Sequence, residues 1–126
     1  MARRPIATDN APGAIGTYSQ AIEADGTIYL SGQIPLDPVS MELVTGDIRE
    51  EIRRVFDNLS AVAEAAGASL DDAVKLTVYL VDLGDFGAVN DVMATFFSEP
   101  YPARAAIQVA ALPKGARVEV DAILRP

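Results

Sequence analysis

The 126-residue chain contains no cysteine and no histidine, and each absence removes chemistry. Without cysteine there is no disulfide and no thiolate nucleophile. Without histidine there is no imidazole base, and together the two absences exclude the usual zinc ligand sets, leaving only an all-carboxylate metal site. Positive charge is also scarce: 10 Lys and Arg stand against 18 Asp and Glu, a formal net charge of −8. Such a surface repels polyanions, which argues against nucleic-acid binding and against anionic membranes as partners. Long hydrophobic runs are missing too. No segment approaches the ~20 apolar residues of a membrane span, and Arg3-Arg4 is followed by Pro5, Asp9 and Asn10 rather than by a signal-peptide core. With no cysteine, the chain fits a reducing compartment, and the expected location is the cytoplasm.

Half of the residues are hydrophobic and 22% are charged, the composition of one globular domain spanning residues 1–126. Ile48, Ile52, Val55, Leu59, Val62 and Ala66 recur at alternating steps of four and three, one stripe down a helix. Asp47 is placed to cap it, with Glu50 as its box-like partner and Gly67 as a left-handed stop. A shorter helix is predicted from about Asp85 to Phe97, with Phe86, Val89, Met93 and Phe96 on its stripe, Asn90 at the border and Pro100 beyond the end.

Three segments alternate with period two: Val74 to Leu80, Arg104 to Val109, and Arg117 to Leu124. Leu112-Pro113-Lys114-Gly115 reads as a hairpin turn between the last two. Asp25-Gly26 joins a further pair, Thr17 to Ile22 and Thr27 to Ser31. Residues 32–46, with Pro35 and Pro38, read as one ordered excursion. The order of strands, helix, strand, helix, strands predicts an α+β fold: a mixed, mostly antiparallel sheet with two helices packed on one face.

The other face is then expected to carry Lys75, Thr77, Tyr79, Arg104, Ala106, Gln108, Glu119, Asp121 and Ile123. This mixture of small apolar, aromatic and charged groups suits a subunit interface, or else a solvated face with weak ion pairs. Arg104, after Pro102-Ala103, can grip a carboxylate bidentately or form a salt bridge with Glu119 or Asp121 on the neighbouring strand. Glu119, expected on the same side as Arg104, can activate a water or be a plain outward position. Tyr18 offers a phenolic hydroxyl to a ligand or packs on its strand. Ser31 and Gly32 let a ligand approach the backbone or simply end a strand, and Asn90 binds a ligand or ties its helix to a loop. Arg49, Arg53 and Arg54 could form a basic patch, but Glu50 and Asp57 lie beside them, as on an ordinary solvated helix.

Tyr18, Ser31-Gly32-Gln33-Ile34-Pro35, Asn58-Leu59, Glu64-Ala65-Ala66-Gly67, Val81-Asp82-Leu83, Phe86 with Asn90, Pro102-Ala103-Arg104, and Leu112-Pro113 followed by Val118-Glu119 together resemble the RidA (YjgF) family of enamine/imine deaminases over essentially the whole chain. The resemblance implies a chorismate-mutase-like fold assembled as a homotrimer, with a ligand cleft at each subunit interface. It implies hydrolysis of reactive 2-imino or enamine acids, such as 2-iminobutanoate and 2-iminopropanoate, to 2-keto acids and ammonia. This is a metabolite damage control activity that needs no cofactor and no metal. Carried onto this chain, Arg104 would clamp the substrate carboxylate, Glu119 would position the water, and Tyr18 would close the cleft. Ser31, Gly32, Asn90 and Ala106 would contact or support the substrate.

Two departures accompany the resemblance. Ala106 stands where several members carry cysteine, which removes any thiol switch at that position, and the stretch 97–102 is shorter than in well-known members. Three other functions compete with the deaminase. They are a non-catalytic module that binds 2-keto acids or similar small metabolites, a deaminase for another enamine such as an aminomuconate-like compound, and an endoribonuclease or translation inhibitor. The last is disfavoured by the acidic charge and the missing histidine.

Overall fold

The computed structural model describes residues 2–126. Its longest helix, α1, spans Ile48–Ala65 and begins where the sequence caps it: the Asp47 carboxylate accepts the Arg49 N–H at 2.9 Å. Glu50 does not close the box but turns to Arg53. At the other end Gly67 adopts φ +79°, and the N–H groups of Gly67 and Ala68 return to the carbonyls of Glu64 and Ala63. That paired return satisfies carbonyls that a helix end leaves open. Ile52, Val55, Leu59 and Val62 of the predicted stripe form the buried face, widened by Glu51, Phe56, Asn58 and Ala63, while Ile48 and Ala66 at its ends are half-buried.

The sheet has six strands: β1 (Arg3–Ile6), β2 (Ala21–Ala24), β3 (Thr27–Gln33), β4 (Ala73–Leu80), β5 (Ala103–Gln108) and β6 (Val118–Leu124). Their spatial order is β1-β2-β3-β6-β4-β5. All pairings are antiparallel except β4 with β5, which is parallel. Asp25 and Gly26, both at positive φ, make the tight β2–β3 turn. Helix α2 (Phe86–Phe96) packs beside α1, and both cover one face. There Ile28, Leu30, Leu76, Val78, Leu80, Val118, Val120 and Leu124 meet Ile52, Val55, Leu59, Val62, Val89 and Val92 in a single core. Phe56 packs on Phe96 at a tilt of 34° and meets Phe97 edge-on, with centroids at 5.4 and 5.7 Å.

Four expectations are corrected. The strand before Asp25-Gly26 starts at Ala21 rather than Thr17, because residues 7–20 are held as a loop by the buried Gln20 amide. It donates to the carbonyls of Thr8 and Pro12 at 3.1 and 2.7 Å and accepts the Thr8 N–H at 2.7 Å. The N-terminal β1 was not anticipated; it lies at the sheet edge, where Pro5 costs no interior ladder bond. Val74 leaves the core face and is 48% exposed, since a register shift between Ala73 and Lys75 bulges the strand there.

The fourth correction moves the site. β5 and β6 are not a hairpin, because β4 runs between them and residues 109–117 cross over it. Parallel pairing sets Arg104 beside Leu76, Ala106 beside Val78 and Gln108 beside Leu80, all on the helix-covered face. Ala105 and Ile107 take the open face instead, next to Thr77 and Tyr79. Among the described residues no helix is long and apolar enough to cross a membrane.

Candidate functional site

Arg104 enters α2's territory from the edge strand. Phe86, Asn90 and Met93 fall at i, i+4 and i+7 on α2, one face aimed at β5. The guanidinium lies over the Phe86 ring, 4.7 Å from its centroid, and Nη1 donates to Asn90 Oδ1 at 3.0 Å and to Met93 Sδ at 3.4 Å. All three partners are neutral. Arg4, Arg49, Arg53 and Arg117 pair with carboxylates, but Arg104 has no ion pair among the described residues. Its Nε and Nη2, the side of the fork that grips a carboxylate with two parallel bonds, make no hydrogen bond there either. Arg104 lines a cavity of about 360 Å³ together with Asn90, Met93, Ala94, Tyr101 and Pro102.

Glu119 lies elsewhere. Its position on β6 is beside Tyr79 and on the open face, whereas Arg104 is beside Leu76 on the helix face. With strands about 4.8 Å apart and a rise of about 3.3 Å per residue, their Cα atoms are separated by about 14 Å across the sheet. The salt bridge between Arg104 and Glu119 or Asp121 therefore does not form, and the expectation that Arg104 and Glu119 share a face is overturned. The apolar residues of β5 occur at both parities, so alternation alone does not choose its face.

Around Glu119 is a second cavity of about 250 Å³, walled by Pro12, Gly13, Ile15, Tyr18, Gly32, Ile34, Pro113 and Lys114 among others. Gly32 sits in a bulge of β3, where Leu30 pairs with Ala122 and Gln33 with Val120. A Cβ on Gly32 would come within 2.9 Å of Glu119 Cδ, so this glycine makes room for the carboxylate. Burial, and then the like charge of Asp121, push the Glu119 carboxyl above the usual glutamate range. Tyr18 is 51% exposed, and its hydroxyl accepts the Ile15 N–H at 3.2 Å, fixing the wall loop. The loop is further held by Gln20, whose amide nitrogen binds Pro12 O.

The sequence-derived candidates thus divide between two cavities of one chain. Arg104 and Asn90 border the first; Tyr18, Gly32 and Glu119 border the second. Ser31 lines neither, and its hydroxyl donates to Ser19 O at 2.6 Å. Ala106 packs against the core behind Arg104. Sequence reasoning missed Met93 as a partner of Arg104, although its helical spacing from Phe86 and Asn90 held the signal, and missed Lys114, whose place in the wall follows from the crossover. The α1 arginines form no free basic patch: Arg49 binds Asp91 at 2.6 Å, Arg54 binds Asn58 Oδ1 at 3.1 Å, and Arg53 pairs with Glu50.

Known proteins share this architecture. A family model described as endoribonuclease L-PSP matches residues 8–125. A Mus musculus protein named 2-iminobutanoate/2-iminopropanoate deaminase is 52% identical over 121 residues, covering 96% of this chain and 90% of that protein. The crystal structure of RidA from an Antarctic Psychrobacter superposes with a TM-score of 0.94 at 53% identity, covering 98% of this chain and 99% of that one. E. coli TdcF, solved with bound serine, superposes at 0.92 with 38% identity and 98% coverage of each chain.

Proposed function

This chain belongs to the RidA (YjgF) family, and from that premise we propose that it hydrolyses 2-imino acids such as 2-iminobutanoate and 2-iminopropanoate to 2-keto acids and ammonia, at sites formed between copies of the chain. The carrying observation is Arg104: a guanidinium held only by neutral groups, with no ion pair among the described residues and on the wall of a cavity, is a receptor suited to a carboxylate. The serine in TdcF and the imino acids in the name of the mouse relative are both carboxylates, which fits that receptor.

Assembly follows from the division of the candidates. One chain cannot bring Arg104 and Glu119 to one ligand, whereas a head-to-tail contact joins the Arg104 cavity of one copy to the Glu119 cavity of the next. A heterologous contact that closes makes a ring. Support comes from the open face of the sheet, where Tyr29 and Ile107 are 50% and 45% exposed and alternate with the polar residues of β4 and β6. We assign the homotrimer and the chorismate-mutase-like arrangement that the family resemblance implies, with the cytoplasm as the compartment.

The chemistry asks little of the protein, because an iminium carbon is already a strong electrophile. Arg104 binds the carboxylate and orients the adjacent carbon. Glu119 takes a proton from water as the oxygen bonds to that carbon, giving a carbinolamine. The protonated Glu119 then returns the proton to the amino group. Ammonia departs with the C–N electron pair while the hydroxyl oxygen closes the carbonyl and releases its proton to Glu119 and then to solvent. Neither step requires histidine or a cofactor. RNA cleavage lacks comparable support, since the chain is strongly acidic and the α1 arginines are engaged.

The test is a coupled assay in which threonine dehydratase generates 2-iminobutanoate and 2-ketobutanoate release is timed. Wild type accelerates release. Arg104→Ala loses about 3 kcal/mol of transition-state binding, about a hundredfold in kcat/KM. No acceleration by wild type refutes the deaminase. Tight 2-keto acid binding without turnover would instead identify a metabolite-binding module.

A further inference from the structure

Glu119 does not stand alone on its face of the sheet. Asp121 is two residues along β6 and points the same way, and Tyr79 of β4 is in register with Glu119 itself. Yet the Tyr79 hydroxyl bypasses its direct neighbour and donates diagonally to Asp121 Oδ2 at 2.9 Å. Glu119 has no hydrogen bond and no ion pair among the described residues. The single phenolic proton of this cluster is thus committed to the carboxylate beside the base and withheld from the base.

The other charged or titratable groups on the elements around Glu119 do not offset this arrangement. Lys75 on β4 is in register with Ile123, beyond Asp121 and farther from Glu119. On β3, Tyr29 also pairs with Ile123, and Gly32 beneath Glu119 carries no side chain. β5 presents Ala103, Ala105 and Ile107 to this face. Tyr18 and Lys114 share the cavity wall, and neither pairs with Glu119. Burial and the Asp121 charge therefore act on Glu119 in the same direction.

We propose that Asp121, tethered by the Tyr79 hydroxyl and two residues along the same face of β6 from Glu119, is a positioning residue for imine hydrolysis, its negative charge held beside the carboxylate that takes the water proton. The proposal rests on the reading of Glu119 as the base. Its physical sense lies in the two proton transfers, since a stronger base takes the water proton more readily.

Two readouts test it on the assembled protein. The first is the pH profile of kcat/KM, whose acid limb reports the base. The second is direct titration of the Glu119 carboxyl carbon by 13C NMR, with the resonance identified by its loss in Glu119→Gln. Asp121→Asn moves both to lower pH, and Asp121→Glu, which keeps the charge, returns them toward wild type. Asp121→Ser removes the same charge with a smaller side chain and serves if the amide does not fold. A wild-type acid limb that neither uncharged variant moves, with an unmoved Glu119 titration, overturns the proposal alone. A wild-type profile with no acid limb overturns the reading of Glu119 as base, and the role of Asp121 falls with it.

Discussion

Replacing Gly32 with alanine adds one methyl group where the structure leaves no room for it. The new Cβ would lie 2.9 Å from Glu119 Cδ and 3.2 Å from Cγ, with a carboxylate oxygen closer still. Gly32 does not occupy a positive φ, so alanine fits its backbone, and the clash must be relieved by Glu119. The far end of a glutamate can swing away by about 1 Å, and a misplacement of that size costs about a hundredfold in rate, or about 2.7 kcal/mol. Stability should change by less than about 1 kcal/mol, because alanine also reduces the freedom of the unfolded chain. The coupled imine assay and thermal unfolding, run on the same preparations, separate the two effects. In a Glu119→Gln background the Gly32→Ala change should cost much less, since the base is already lost. The reasoning is refuted if Gly32→Ala retains the wild-type rate within threefold. It is also refuted if the rate falls only as far as the folded population does.

Mixing provides a sharp test of the shared site: Arg104→Ala and Glu119→Gln, each inactive alone, should regain about a quarter of wild-type sites when co-refolded in equal amounts, because one interface in four then pairs the two intact residues. A mixed preparation that stays inactive after verified subunit exchange would contradict it. Glu119→Gln should also melt at a higher temperature than wild type near neutrality. The folded carboxyl is raised above its unfolded value, so its ionisation costs stability as pH rises through the folded value, and the difference should vanish below the ordinary glutamate value of about 4.3. A melting difference independent of pH from 4 to 8 contradicts that assignment. Finally, Glu51 is buried on α1 and binds Arg117, whose Nη2 also donates to the Gly46 carbonyl at 2.7 Å. Glu51→Ala should cost about 2–3 kcal/mol in urea unfolding, because it breaks the link between α1 and the strand entrance; a loss under 0.5 kcal/mol would show the pair to be dispensable.

Much of this molecule is written locally. Ile52, Val55, Leu59 and Val62 share a helical face wherever the helix lies, Asp47 and Gly67 mark its ends, and Asp25-Gly26 can hardly do other than turn. The residues that carry the family likeness, Arg104 and Glu119 among them, were likewise legible, because their identity and spacing are properties of the chain. β1 was hidden, since Arg3-Arg4-Pro5-Ile6 has neither β propensity nor alternation and becomes a strand only by pairing with β2. Tertiary structure decided which face β5 presents. Ala103, Ala105 and Ile107 on one parity and Ala106 on the other leave its amphipathicity ambiguous, and the choice was made by parallel pairing with β4 and by α2 waiting above Arg104. Strand order then set β4 between Arg104 and Glu119. Sequence determined which groups the protein has to work with; the sheet determined that no single copy can bring them to one ligand, because side chains on opposite faces of a sheet do not meet.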